Sequence, residues 1–75
     1  MARSLPPIEG LGQRVQRHRE RLGWSLEKVA DLCGVSRQAI EAVEKGKNNP
    51  SIATLITLAD AFGVSVDALL GRKSK

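Results

Sequence analysis

Residues 25–45 read SLEKVADLCGVSRQAIEAVEK, and the fold turns on the three in the middle, Gly34, Val35 and Ser36. On either side, Leu26–Cys33 and Arg37–Lys45 carry apolar residues at helical spacing. A glycine just past the first segment suits the left-handed residue that ends a helix. A serine just before the second can accept a hydrogen bond from an orphan amide of the first turn. The stretch therefore predicts two short helices joined by a turn of three residues.

The same punctuation recurs outward from this pair. Gly23, Gly34, Gly46, Gly63 and Gly71 each follow an apolar-periodic stretch, and Ser25, Ser36, Ser51 and Ser65 precede one. Five helices are expected, at Leu11–Leu22, Leu26–Cys33, Arg37–Lys45, Ile52–Phe62 and Val66–Leu70. No run of alternating β-branched residues suggests a strand, so the fold class is all-α. In the first helix Leu11, Val15, His18 and Leu22 share an arc of about 60°. In the fourth, Leu55, Leu58, Ala59 and Phe62 form the inward stripe, and Trp24 is placed to staple the second helix against Val29. Residues 1–10, with Arg3, Pro6, Pro7 and Gly10, read as an arm; residues 11–71 form one domain, and 72–75 form a basic tail.

Composition narrows the chemistry. Twelve Lys/Arg against eight Asp/Glu give a formal charge of +4 over 75 residues, which favours a polyanionic partner. One cysteine and one histidine supply neither an internal disulfide nor a four-ligand zinc site, so no metal or cofactor is expected. No apolar run approaches the roughly 20 residues of a membrane span, no signal peptide is evident, and no small-molecule ligand suggests itself, so a cytoplasmic location is expected. Serines assigned to helix caps make poor nucleophiles, and a lone His18 supplies no triad, which rules against an enzyme. Aromatic residues are 3% of the chain, too few to read single strands by stacking, so double-stranded DNA is the expected polyanion.

Projecting Arg37–Lys45 at about 100° per residue separates two faces. Ala39, Ile40 and Val43 look inward; Arg37, Gln38, Glu41, Ala42 and Lys45 look outward. Arginine suits the O6/N7 edge of guanine, glutamine the N6/N7 edge of adenine, and alanine a thymine methyl. Glu41 is expected either to accept from a cytosine amine or to orient Arg37. The helix pair spanning about 26–45, with its short glycine-first turn, has the form of a helix-turn-helix, whose second helix enters the major groove.

From Leu11 to Gly71 the chain resembles the Cro/C1-type helix-turn-helix family, the lambda-repressor-like or XRE-family DNA-binding domains. The resemblance rests on Leu11-Gly12 with Arg14, Val15 and Arg19, then Gly23, Val29-Ala30 and Gly34-Val35-Ser36. It continues through Ile40, Val43, Glu44 and Gly46, and from Asn49-Pro50-Ser51 to Leu69-Leu70. It implies a compact five-helix domain in which Arg37, Gln38, Glu41 and Ala42 face base edges. It also implies that Lys45, Lys47 and Asn48 contact phosphate and that Arg19 and Glu44 form a structural ion pair. The family's phosphate-binding glutamine at the start of the second helix is replaced by Leu26, although the amides capped by Ser25 could still hold the anion.

Arg14, Arg17 and Arg21 share one basic face, and Arg14 is expected to steer phosphate. His18 is expected to lie half-buried beneath these arginines, and Cys33 to be a small core residue. One domain makes few base contacts, so a homodimer on a palindromic operator is expected, acting as a transcriptional repressor. Its pairing surface would be the apolar C-terminal region of Ile56, Val64, Val66 and Leu70. The rival reading is a protein-interaction module, such as an antitoxin that partners a toxin or a restriction-modification controller-like protein.

Overall fold

The computed structural model describes residues 8–72, which form α1 (Leu11–Arg21), α2 (Leu26–Cys33), α3 (Arg37–Glu44), α4 (Ile52–Phe62) and α5 (Val66–Leu70). Residues 1–7 of the expected arm and 73–75 of the basic tail lie outside the described residues. Among the described residues every regular element is helical. The helices α1 and α3 end one residue early, because Leu22 and Lys45 act as their C-caps.

Local chemistry explains where the helices begin. The hydroxyls of Ser25, Ser36, Ser51 and Ser65 accept from the amides of Lys28, Ala39, Thr54 and Ala68 at 3.0–3.1 Å. Each such cap is typically worth about 1 kcal/mol. The turn between α2 and α3 depends on Gly34, whose φ of +67° lets the Val35 amide reach back to the Ala30 carbonyl at 3.1 Å.

Packing then joins the helices. Val15, Val29, Ile40, Leu58 and Leu69, one from each helix, are the largest fully buried side chains and meet in a single core. Burying each is worth about 1.5–3 kcal/mol. The helix α3 packs on both α1 and α2, while α4 packs on α1, α2 and α5. Leu22, expected on the inward stripe, is instead 38% exposed; as the residue that ends α1 it stands beyond the core that Leu11 and Val15 face.

Two contacts hold α1 against the end of α3. Gly12 is buried, and a Cβ there would fall against the carbonyl oxygens of Val43 and Glu44, so the first turn of α1 rests directly on α3 backbone. Two turns further along α1, the Arg19 guanidinium grips the Glu44 carboxylate with Nε on Oε2 at 2.7 Å and Nη2 on Oε1 at 3.0 Å. Arg19 Nη1 also donates to the Trp24 carbonyl at 2.9 Å. The bonds to Glu44 raise the Arg19 pKa further, outweighing the opposing effect of burial.

Candidate nucleic-acid interface

The outer face of α3 is what this packing leaves free. Ile40 and Val43 are buried beneath it, while Arg37 and Gln38 are exposed at its start and Glu41 and Ala42 are half-buried along it. The Ser36 cap fixes the first turn, so Arg37 and Gln38 project from a rigid helix end. Arg37 Nε lies 3.4 Å from Glu27 Oε2 on α2, and Lys45 Nζ lies 3.2 Å from Glu41 Oε2. The expectation that Glu41 orients Arg37 therefore fails: Glu41 meets the cation one turn ahead of it, and Glu27 reaches Arg37 across the turn. All four groups are solvent-accessible, so these pairs are weak enough to open when a stronger partner arrives.

After α3 the chain exposes Lys45, Lys47 and Asn48 in succession. Asn49, which follows them, accepts from the Ile8 backbone N–H at 2.8 Å and so ties the start of the described chain to this loop. On the other flank Ser25 is exposed at the start of α2 with its hydroxyl on the Lys28 amide. Leu26, standing where the family places a glutamine, packs against the core, which accounts for an apolar residue there.

Arg14 is placed differently from the expectation. Its Nη1 donates to the Leu69 carbonyl at 3.0 Å and to the Glu9 carbonyl at 3.4 Å, tying α1 to the end of α5. The carbonyls that end a helix carry partial negative charge and lack partners within it, and here they take the guanidinium inward. Arg17 and Arg21 remain exposed.

His18 is half-buried, stacked on Phe62 with 5.4 Å between ring centroids. Arg21 Nη2 lies 3.1 Å from its Nδ1, and because arginine only donates, this contact favours the neutral ring with its proton on Nε2. Burial lowers the His18 pKa most, and Arg21 and Arg17 lower it further. Stability due to neutral His18 is thus complete above its unfolded-state value of about 6.5 and is lost as pH falls through the lower folded-state value. Melting temperatures measured from about pH 7.5 to 5 should decline more steeply for the parent than for His18→Leu, which lacks the imidazole. Equal slopes would show that the ring does not contribute. Burial pushes the Cys33 thiol up, away from the reactive thiolate.

Of the C-terminal apolar residues, Ile56 is 49% exposed and its neighbour one turn earlier, Ile52, is 77% exposed. Val64 and Val66 are half-buried and pack on their own core, and Leu70 is half-buried. Among the described residues no group of three or more His, Cys, Asp or Glu could hold a metal ion, and no helix is long and apolar enough to cross a membrane.

The arrangement of α2, the Gly34 turn and α3 has a counterpart among known families. The helix-turn-helix family model matches residues 15–69, most of the chain and all of the α2–α3 unit. This chain belongs to the helix-turn-helix family. Within that family, of Cro/C1 type, the domain is 37% identical over 62 residues to the HTH-type transcriptional regulator AnsR of Bacillus subtilis, covering 83% of this chain and 53% of AnsR. It is 33% identical to the solved N-terminal DNA-binding domain of SinR from Bacillus subtilis, with a TM-score of 0.77, covering 88% of this chain and 97% of that one. The P22 c2 repressor, solved with a synthetic operator, is 28% identical with a TM-score of 0.79, covering 84% of this chain and 96% of the repressor chain. The fold is therefore lambda-repressor-like. The chain spans about half the length of the curated relatives AnsR and YonR of Bacillus subtilis.

Proposed function

We propose that this helix-turn-helix domain binds double-stranded DNA by sequence and acts as a transcriptional repressor. What carries the reading is the placement of Arg37 and Gln38, both exposed at the capped start of α3 above a buried Ile40. Inserted in the major groove, Arg37 would pair with guanine and Gln38 with adenine, each discriminating by about 1–3 kcal/mol. Ala42 adds an apolar contact and Glu41 an acceptor. Lys45, Lys47, Asn48 and the amides behind Ser25 would hold phosphate on the two flanks, which sets register without reading bases. Similarity to a repressor solved with a synthetic operator supports this assignment.

Selection from a random duplex pool tests it. Gln38→Ala should leave the melting temperature unchanged and relax selection at one base pair of a half-site. Arg37→Ala should relax a neighbouring pair and also weaken overall binding. A double variant that still selects the parental site would move specificity elsewhere, to DNA shape for example. A parent with no salt-sensitive affinity for any duplex would favour the interaction-module reading instead.

The proposed operator is palindromic, read by a homodimer whose contacts double those of one domain. Ile56 with Ile52 and Leu70 form the pairing surface, while Val64 and Val66 mainly support it from within. Ile56→Asp or Leu70→Asp should give folded monomers by sedimentation and lose affinity for a palindrome. A dimer that survives both changes would place the interface on another face.

A further inference from the structure

Glu27 and Arg37 meet across the helix-turn-helix, and it matters which atoms meet. Arg37 Nε lies 3.4 Å from Glu27 Oε2. Backbone fixes both ends of this pair: Glu27 stands in the first turn of α2 behind the Ser25 cap, and Arg37 opens α3 behind the Ser36 cap. Leu26 is taken up by the core, and Lys28 is turned over the Trp24 ring, 5.6 Å from its centroid. Glu27 is thus the side chain that α2 offers to Arg37.

A guanidinium carries five N–H donors, one on Nε and two on each Nη. With the carboxylate beside Nε, the outer edge formed by Nη1 and Nη2 stays open. That edge is a fork that matches O6 and N7 of guanine, so carboxylate and base can hold Arg37 at the same time. Phosphate is a different partner. Its full negative charge would enter beside the Glu27 carboxylate, and like charges at close range repel. The guanine edge carries only partial charge and escapes most of that penalty.

We propose that Glu27 is a positioning residue for Arg37: it holds Nε so that Nη1 and Nη2 face guanine, and its charge turns the guanidinium away from phosphate. The inference rests on the double-stranded DNA reading. It adds to that reading a carboxylate that touches no base yet raises discrimination, by weakening the wrong complexes as well as orienting the right one.

The test is equilibrium binding of the full chain to three duplexes: the site that the parent selects from a random pool, the same site with the Arg37-dependent pair exchanged, and random sequence. The Arg37-dependent pair is the one that Arg37→Ala relaxes. Glu27→Gln removes the charge at nearly constant size from an exposed side chain. An exposed ion pair is worth about 1.4- to 5-fold in an equilibrium constant, so preference for the parental pair should fall by a factor in that range. Affinity for random duplex should rise, and its log–log dependence on salt should steepen by up to about 0.9 as Arg37 becomes free to take a phosphate. Preference at the pair that Gln38→Ala relaxes should not change, whereas a merely structural role would disturb both pairs. Undiminished preference at the Arg37 pair, equal losses at both pairs, or a random-duplex affinity that fails to rise would overturn the inference while leaving duplex binding by sequence intact. A parent that binds no duplex, or in which Arg37→Ala relaxes no pair, overturns the underlying reading and this inference together.

Discussion

Glu44→Ala is expected to unfold a substantial part of the population at ambient temperature. The Arg19 and Glu44 side chains are only 14% and 7% exposed, and each satisfies the other through two hydrogen bonds. Removing the carboxylate leaves a guanidinium that stays charged at every accessible pH, with the Trp24 carbonyl as a hydrogen-bond acceptor and only the exposed Glu20 carboxylate, 3.9 Å from Nη2, as a distant counter-charge. Breaking such a pair from one side costs about 3–5 kcal/mol. A domain of this size holds roughly 4–11 kcal/mol in total, so the change consumes a large share of it. Replacing both partners by apolar residues, as in Arg19→Met with Glu44→Leu, should recover most of the loss, because the penalty lies in the stranded charge. Urea unfolding of the two variants checks this; a single variant as stable as the parent would show that water reaches the guanidinium freely.

Gly12→Ala sets local preference against tertiary contact. Within a helix, alanine is favoured over glycine by about 1 kcal/mol, so propensity alone predicts a more stable domain. The new methyl group, however, would meet the carbonyl oxygens of Val43 and Glu44, which are backbone and cannot rotate away. Relief requires α1 to move off α3, opening the contact that also aligns the Arg19–Glu44 pair. Overpacking of this kind costs about 1–3 kcal/mol, and backbone on the receiving side puts the cost at or above the upper end. A net loss of about 2–3 kcal/mol lowers the melting temperature by roughly 8–24 °C. Calorimetry showing an unchanged or higher melting temperature would mean that the two helices already have slack between them.

Much of the fold was legible because much of its free energy is local. A serine that caps a helix acts over three residues, and a stripe of Leu55, Leu58, Ala59 and Phe62 needs only the pitch of one helix. The five helices, their four serine caps, the glycine turn and the inward places of Ile40 and Val43 all belong to this class. So does the exposure of Arg37 and Gln38, since a face opposite the core stripe is turned outward. Leu22 marks the limit of such reasoning: periodicity gave it an inward direction, but not the point at which the core ends.

What the sequence by itself determined, then, is the set of helices and which face each one buries. Which groups meet across helices was decided only by the tertiary structure. Arg14 looked like one more cation on a basic face until the end of α5 arrived, 55 positions away, with a carbonyl that needed a donor. Asn49 gave no sign of meeting Ile8, nor Glu27 of meeting Arg37. Gly12 carried no local signal at all, because its role is the absence of an atom where another helix's backbone passes. Arg19 and Glu44 lay at the borders of their stripes, yet it is the crossing of α1 over α3 that brings them within hydrogen-bond distance. The reason is one of range: caps and periodicity act within about four residues, whereas these contacts depend on how rigid helices pack around a shared core.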